Sequence, residues 1–136
     1  MFAQPKPRSR TSLFIVTYVH PDLDGWKKHL APHLQWIADQ VESGMLRASG
    51  PTYISDTRTA ALLFESPDRA ALEKVLSTDP FMEHGQVSDL TITEWDPIFG
   101  ILNPESSKSG QATNQIIIGL IESVGARGND YEVPQS

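Results

Sequence analysis

Four strand-like runs and two helical segments follow one another along the 136 residues in the order β-α-β-β-α-β. That order predicts an α+β fold of the ferredoxin-like pattern, in which two helices cover one face of a four-stranded antiparallel sheet. Three observations carry the prediction: two runs of β-branched and aromatic residues are apolar on both faces, two segments switch to a helical period, and Gly, Pro, Asp and Ser clusters stand between them.

Ser12 to Val19 (SLFIVTYV) is the first strand, ended by His20-Pro21-Asp22. Leu13, Ile15 and Val19 point one way and Phe14, Val16 and Tyr18 the other, as in a strand covered on both sides. From Asp24 to Ser43 the period becomes helical, with Leu30, Leu34, Ile37 and Val41 as the expected buried stripe. Pro32 interrupts it, so the sequence predicts a lead-in turn around Trp26 and a main helix starting near Pro32, closed by a left-handed Gly44. Met45 to Tyr53 is the second strand; Pro51 places it at a sheet edge, where a missing donor faces no partner. Thr59 to Glu65 is the third, again apolar on both faces. Ser66-Pro67-Asp68 reads as a cap opening the second helix, with Ala71, Leu72, Val75 and Leu76 as its buried stripe. Asp79-Pro80-Phe81 breaks that helix, and Val87 to Trp95 is the last strand.

The first and third strands are central in this topology, yet the helices cover one face only. The remaining apolar face predicts a homodimer whose sheets face each other as a two-chain barrel, with Trp95 helping to close it. The organisation expected is a flexible arm over residues 1–11, the domain over 12–102, and an extension over 103–136. The extension carries an apolar island at 116–124 that docks on the partner subunit as a strand or helix.

Composition excludes several classes of function. A net charge of −6 with no basic cluster beyond Lys6, Arg8 and Arg10 argues against nucleic acid as a partner. No apolar run approaches the roughly 20 residues of a membrane span, and residues 1–10 lack the apolar segment of a secretory signal, so a cytoplasmic location without membrane contact is expected. The absence of cysteine removes disulfides, thiolate nucleophiles and zinc-thiolate sites. No glycine-rich phosphate loop, dinucleotide fingerprint or nucleophile elbow is present, so no cofactor is expected. His29 and His33 have the four-residue spacing of a metal pair, but Pro32 lies between them and no third ligand stands out, so no metal is expected. His20 and His84 fall in turns and are expected to be solvated.

His33-Leu34, Gly44-Met45-Leu46, Ser49-Gly50-Pro51 and Asp79-Pro80-Phe81 occur in an order and spacing that resemble the YciI-related (YCII domain) family over about residues 12–99. The resemblance implies a dimeric α+β barrel with a pocket containing a histidine and an aspartate. Among the family's members is a dehydrochlorinase acting on chlorinated hydroxyquinols. Carried over by position, it implies His33 as general acid or base, Asp79 as its orienting partner, and Ser49, Gly50 and Pro51 as pocket wall. Where some relatives have an Asp nine residues after the histidine, this chain has Glu42.

The residue types agree with that assignment and with a blander one. A histidine titrates near neutral pH, and a carboxylate beside it fixes its tautomer. Equally, a histidine at the border of an apolar stripe serves a structural role in many helices, and Asp before proline is an ordinary turn residue. Trp26 and Trp36 are packing residues or, in the sharper reading, aromatic wall for a planar substrate, and Trp36 and Phe81 are candidate substrate-binding residues. Two functions follow. One is a small cofactor-independent enzyme in which a His/Asp pair moves a proton on a cyclic or aromatic hydroxy/keto small molecule, as a lyase, isomerase or dehydrohalogenase. The other is a non-catalytic small-molecule-binding or accessory barrel.

Overall fold

The computed structural model describes residues 11–53 and 56–125. The expected N-terminal arm, apart from Thr11, lies outside the described residues, as does part of the turn before the third strand. The chain forms two compact units, one ending at Trp95 and one beginning at Asp96.

The first unit contains β1 (Ser12–His20), α1 (Leu23–Ser43), β2 (Leu46–Thr52), β3 (Arg58–Ser66), α2 (Arg69–Leu76), α3 (Pro80–Glu83) and β4 (Ser88–Trp95). The strands form one antiparallel sheet in the order β2-β3-β1-β4. This is the ferredoxin-like α+β arrangement, with the two-faced strands β1 and β3 in the centre and the proline-bearing β2 at an edge. Register between β1 and β3 is continuous from Ser12↔Ser66 to His20↔Arg58. The β1–β4 ladder shifts between Thr17 and Val19, where Asp89 takes a left-handed backbone (φ 51°), a local bulge that an Asp side chain tolerates.

From Phe14 onward burial alternates along β1, and Leu13 before it is buried as well. Phe14, Val16, Tyr18 and His20 are buried, and the first three meet Leu62, Phe64, Leu72 and Leu76 in one core. His20 therefore belongs to the buried face of a strand, which corrects the expectation that it is solvated. His84 is exposed.

Three local expectations about the helices also change. First, α1 is continuous from Leu23, with Pro32 inside it. Asp22 starts it by accepting the Gly25 N–H at 3.1 Å, a cap that the sequence already contains two residues after His20. An interior proline costs one helical hydrogen bond and about 3 kcal/mol, and the packing of the following turn offsets it, since His33 and Trp36 are buried. Second, those two residues, rather than the Leu34/Val41 stripe, face the core; Leu34 and Val41 are 53% and 55% exposed. Third, Ser66 closes β3, and the cap of α2 is Asp68, whose carboxylate accepts the Ala71 N–H at 2.7 Å. Gly44 ends α1 with φ 87°, a conformation that favours glycine.

In the second unit a 3-10 turn at Asn103–Glu105 precedes α4 (Thr113–Ser123). The Asn103 amide ties this loop together by donating to the carbonyls of Ile98 and Lys108 and accepting from the Gly110 N–H. The apolar island takes the helical form, with Ile116 buried and Ile118 and Val124 exposed. No helix among the described residues is long and apolar enough to cross a membrane.

Candidate active site

Two elements deliver the site's central pair. Asp79 ends the α2 segment in an extended conformation before Pro80, and its Oδ1 accepts the Phe81 N–H at 2.9 Å, capping α3. Opposite it, α1 presents His33, whose Nδ1 lies 2.8 Å from the same Oδ1. One turn along α1, the Trp36 indole N–H donates to Thr78 Oγ1 at 2.9 Å and so pins the helix against the residue preceding Asp79. Asp79 is fully buried and His33 is 8% exposed. The Phe81 ring stacks on His33 with centroids 3.9 Å apart and 16° between planes. Asp79 Oδ2 has no hydrogen-bond partner among the described residues, so the carboxylate's only side-chain partner there is the histidine.

A carboxylate only accepts, which assigns the proton at this contact to His33 Nδ1 and leaves Nε2 as the free nitrogen of the neutral ring. His33 lines a cleft of about 350 Å³ between α1 and the β2–β3 edge of the sheet. One wall is Leu30, His33, Leu34 and Ile37, so most of the apolar stripe of α1 borders this cleft, and Ile37 also packs against the core. The facing wall is Ser49, Gly50 and Pro51 of β2. Tyr18, His20 and Phe81 also line it, and at its rim the Arg58 guanidinium lies 4.3 Å over the Trp26 ring.

Electrostatics at this end of the cleft follow from burial. The His20 Nδ1 sits 2.8 Å from the Gln86 carbonyl oxygen. Burial lowers the His20 pKa from its ordinary 6.5, against the opposing pull of that carbonyl. The repulsion of His33 and of the cross-strand Arg58 acts in the same downward direction. The Tyr18 phenol is pushed well above its ordinary value, first by burial and then by the Asp79 charge, so it remains a protonated hydroxyl.

Of the residues singled out from sequence, the structure brings His33, Phe81, Ser49, Gly50 and Pro51 to one cleft and sets Asp79 directly behind His33. Trp36 does not line the cleft; its ring is spent on the core, 6.1 Å from Phe64, and on the Thr78 contact. Glu42 is exposed near the end of α1. Sequence reasoning missed Tyr18, His20 and Arg58, whereas Trp26, read from the sequence as a packing residue or aromatic wall, does line the cleft. The signal for two of them was present, because Tyr18 and His20 share the parity of the buried Phe14 and Val16 along β1. Although α1 is continuous, His29 is not paired with His33: its ring stacks on His84 at 4.1 Å, and no cluster of three metal-ligating side chains occurs among the described residues.

A four-stranded antiparallel sheet in this strand order, built from two β-α-β units, defines the ferredoxin-like α+β class. Within that class, the YCII-related domain family matches residues 12–96, and the chain belongs to this family. No protein of curated function matches the chain. Among solved structures, the chain is similar to the 5-chloro-2-hydroxyhydroquinone dehydrochlorinase TftG of Burkholderia phenoliruptrix AC1100, in complex with 2,5-dihydroxybenzoquinone. The identity is 18%, the TM-score 0.55, and the match covers 62% of this chain and 93% of TftG.

Proposed function

We propose that this protein is a small enzyme in which His33, oriented by Asp79, moves a proton on a cyclic or aromatic hydroxy/keto compound without a cofactor. The observation that carries the reading is the buried Asp79 carboxylate 2.8 Å from His33 Nδ1, behind a histidine that lines an apolar-walled cleft. His33 Nε2 takes a proton from a ring hydroxyl or from a carbon beside a carbonyl, and Asp79 stabilises the imidazolium formed. In an isomerisation the proton returns to another atom of the substrate. In an elimination the electron pair released by deprotonation expels a leaving group such as chloride, and the substrate loses one proton and one chloride. The likeness of fold to TftG, a dehydrochlorinase, favours the elimination branch.

The working unit of this reading is a homodimer. The sheet face away from the helices carries Ile15, Ala61 and Leu63, only partly buried, beside a shallow hollow that includes Ala48 and Trp95. A second copy of the same face would cover it.

The test is turnover of hydroxylated quinones and chlorinated hydroquinones by the wild type and by His33→Ala, with circular dichroism to check the fold. A loss of at least about 100-fold in kcat with the fold retained supports the reading. Unchanged turnover refutes the role of His33, and reversible binding of unaltered compounds by the wild type would make the protein a binding domain.

A further inference from the structure

The cleft contains a second histidine that the proton-transfer reading leaves without a task. His20 is 6% exposed, lines the same cleft as His33, and reaches it from β1 instead of α1. Its Nδ1 faces the Gln86 carbonyl oxygen at 2.8 Å. A carbonyl oxygen has no hydrogen to give, so Nδ1 carries the proton and Nε2 holds a bare lone pair whenever the ring is neutral. Burial favours that neutral ring. His20 Nε2, His33 Nε2 and the Tyr18 hydroxyl have no hydrogen-bond partner among the described residues; their residues line the cleft, and unlike Asp79 Oδ2 and Gln86 Oε1 these atoms are not sealed from solvent. Polar groups that open on a mostly apolar cleft without a protein partner mark the place where a ligand can supply hydrogen bonds.

The two imidazoles flank one phenyl ring, Phe81, with centroids 4.7 Å (His20) and 3.9 Å (His33) from it. The two imidazole centroids can therefore be no farther apart than these two distances together, a separation that a six-membered ring bearing two hydroxyls can bridge. We infer that His20 is a second acceptor of this cleft, so that the site selects a dihydroxylated ring, giving one hydroxyl to His33 Nε2 and the other to His20 Nε2. Tyr18, a protonated phenol beside His20 (5.0 Å between ring centroids), donates to the oxygen that His20 binds. His20 is thus a specificity-determining residue that keeps the second hydroxyl in place while His33 handles the proton. This assignment rests on the proposed function for the role of His33, but its test does not require turnover.

The experiment is a ligand titration of the full chain, labelled with ¹⁵N at histidine, using hydroquinone, phenol and 4-methoxyphenol as probes. Before ligand is added, His20 should show the Nδ1–H tautomer. Hydroquinone should shift the Nε2 resonances of both His20 and His33 and bind roughly tenfold more tightly than 4-methoxyphenol, the worth of one neutral hydrogen bond in a partly closed site. His20→Phe should bring the two affinities within about twofold of each other while 4-methoxyphenol still binds. His20→Asn, which retains a polar side chain, serves as a second variant should the phenylalanine disturb the fold, and is expected to keep less than half of the discrimination. An Nε2–H tautomer at His20, a shift confined to His33, or discrimination that survives in both variants overturns the inference. Failure of the catalytic reading would appear separately, as bound probes that shift both histidines in a protein that turns nothing over.

Discussion

Replacing Asp79 by alanine removes two hydrogen bonds that one oxygen now holds, those from Phe81 N–H at 2.9 Å and His33 Nδ1 at 2.8 Å. Loss of the cap costs about 1 kcal/mol, as for other Asp-to-Ala changes at helix starts. The His33 N–H, in a residue only 8% exposed, is left without an acceptor, which costs about 1–3 kcal/mol. Asp79→Ala should therefore destabilise the chain by about 2–4 kcal/mol. Asp79→Asn is the informative partner. Its amide oxygen accepts both bonds, and its NH₂ falls where Oδ2 has no partner. The weaker neutral bonds cost about 1 kcal/mol, while relief of a buried charge acts in the opposite direction, so the net loss should stay below about 1 kcal/mol. Guanidinium denaturation at pH 8 measures both, and ¹⁵N shifts report whether His33 keeps its Nδ1–H tautomer. Equal destabilisation by the two variants, or less than about 1 kcal/mol for alanine, would refute the claim that this carboxylate holds α1 to α3.

Other outcomes follow from single features. The folded-state pKa of His20 lies below 6.5, so in the window beneath 6.5 the unfolded chain binds more protons than the folded one; stability should fall as pH drops from 6.5 toward the folded value and level off below it, in a denaturant series over that range. Gly25→Ala places a methyl group against the Gln86 side chain, itself only 9% exposed, and should cost about 1–3 kcal/mol and move the His20 resonances, both visible in one NMR sample during thermal unfolding. Leu63→Arg on the open sheet face should convert a dimer into a monomer by sedimentation equilibrium without loss of helical content, and a persistent dimer would locate the interface elsewhere. Arg58→Ala should weaken binding of anionic rings more than neutral ones, read by titration against 2,5-dihydroxybenzoquinone and phenol, because Arg58 is the cation at the cleft rim.

The sheet was legible in the sequence because parity is a robust signal: Phe14, Val16 and Tyr18 can only share a face, and Pro51 belongs at an edge. Helix α1 was less legible. Its leucines and Val41 repeat at helical spacing and imply a core stripe, yet an apolar repeat records only which residues avoid water, and a cleft wall satisfies that as well as a core does. Pro32 misled for a related reason, since propensity prices the lost hydrogen bond but not the burial of His33 and Trp36 beyond it. The His33–Asp79 contact spans 46 positions, a pairing set by how α1 lies over the start of α3 and invisible to local spacing. His20 was readable by parity but was overridden by the turn cluster that follows it.

The two cleft histidines differ in one respect that bears on the roles proposed for them. Each has Nδ1 engaged and Nε2 free, but His33 faces a carboxylate and His20 faces a carbonyl dipole. A carboxylate gives a developing imidazolium a full counter-charge, whereas a dipole supplies only a fraction of one, and at His20 burial outweighs it. That counter-charge suits His33 to the proton transfer proposed for it, and holding a hydroxyl is the role proposed for His20. Exchanging the second shell tests this division: Asp79→Asn should depress turnover by about 100-fold or more while leaving the preference for two hydroxyls intact. Loss of that preference together with turnover would mean that both histidines act as one coupled unit.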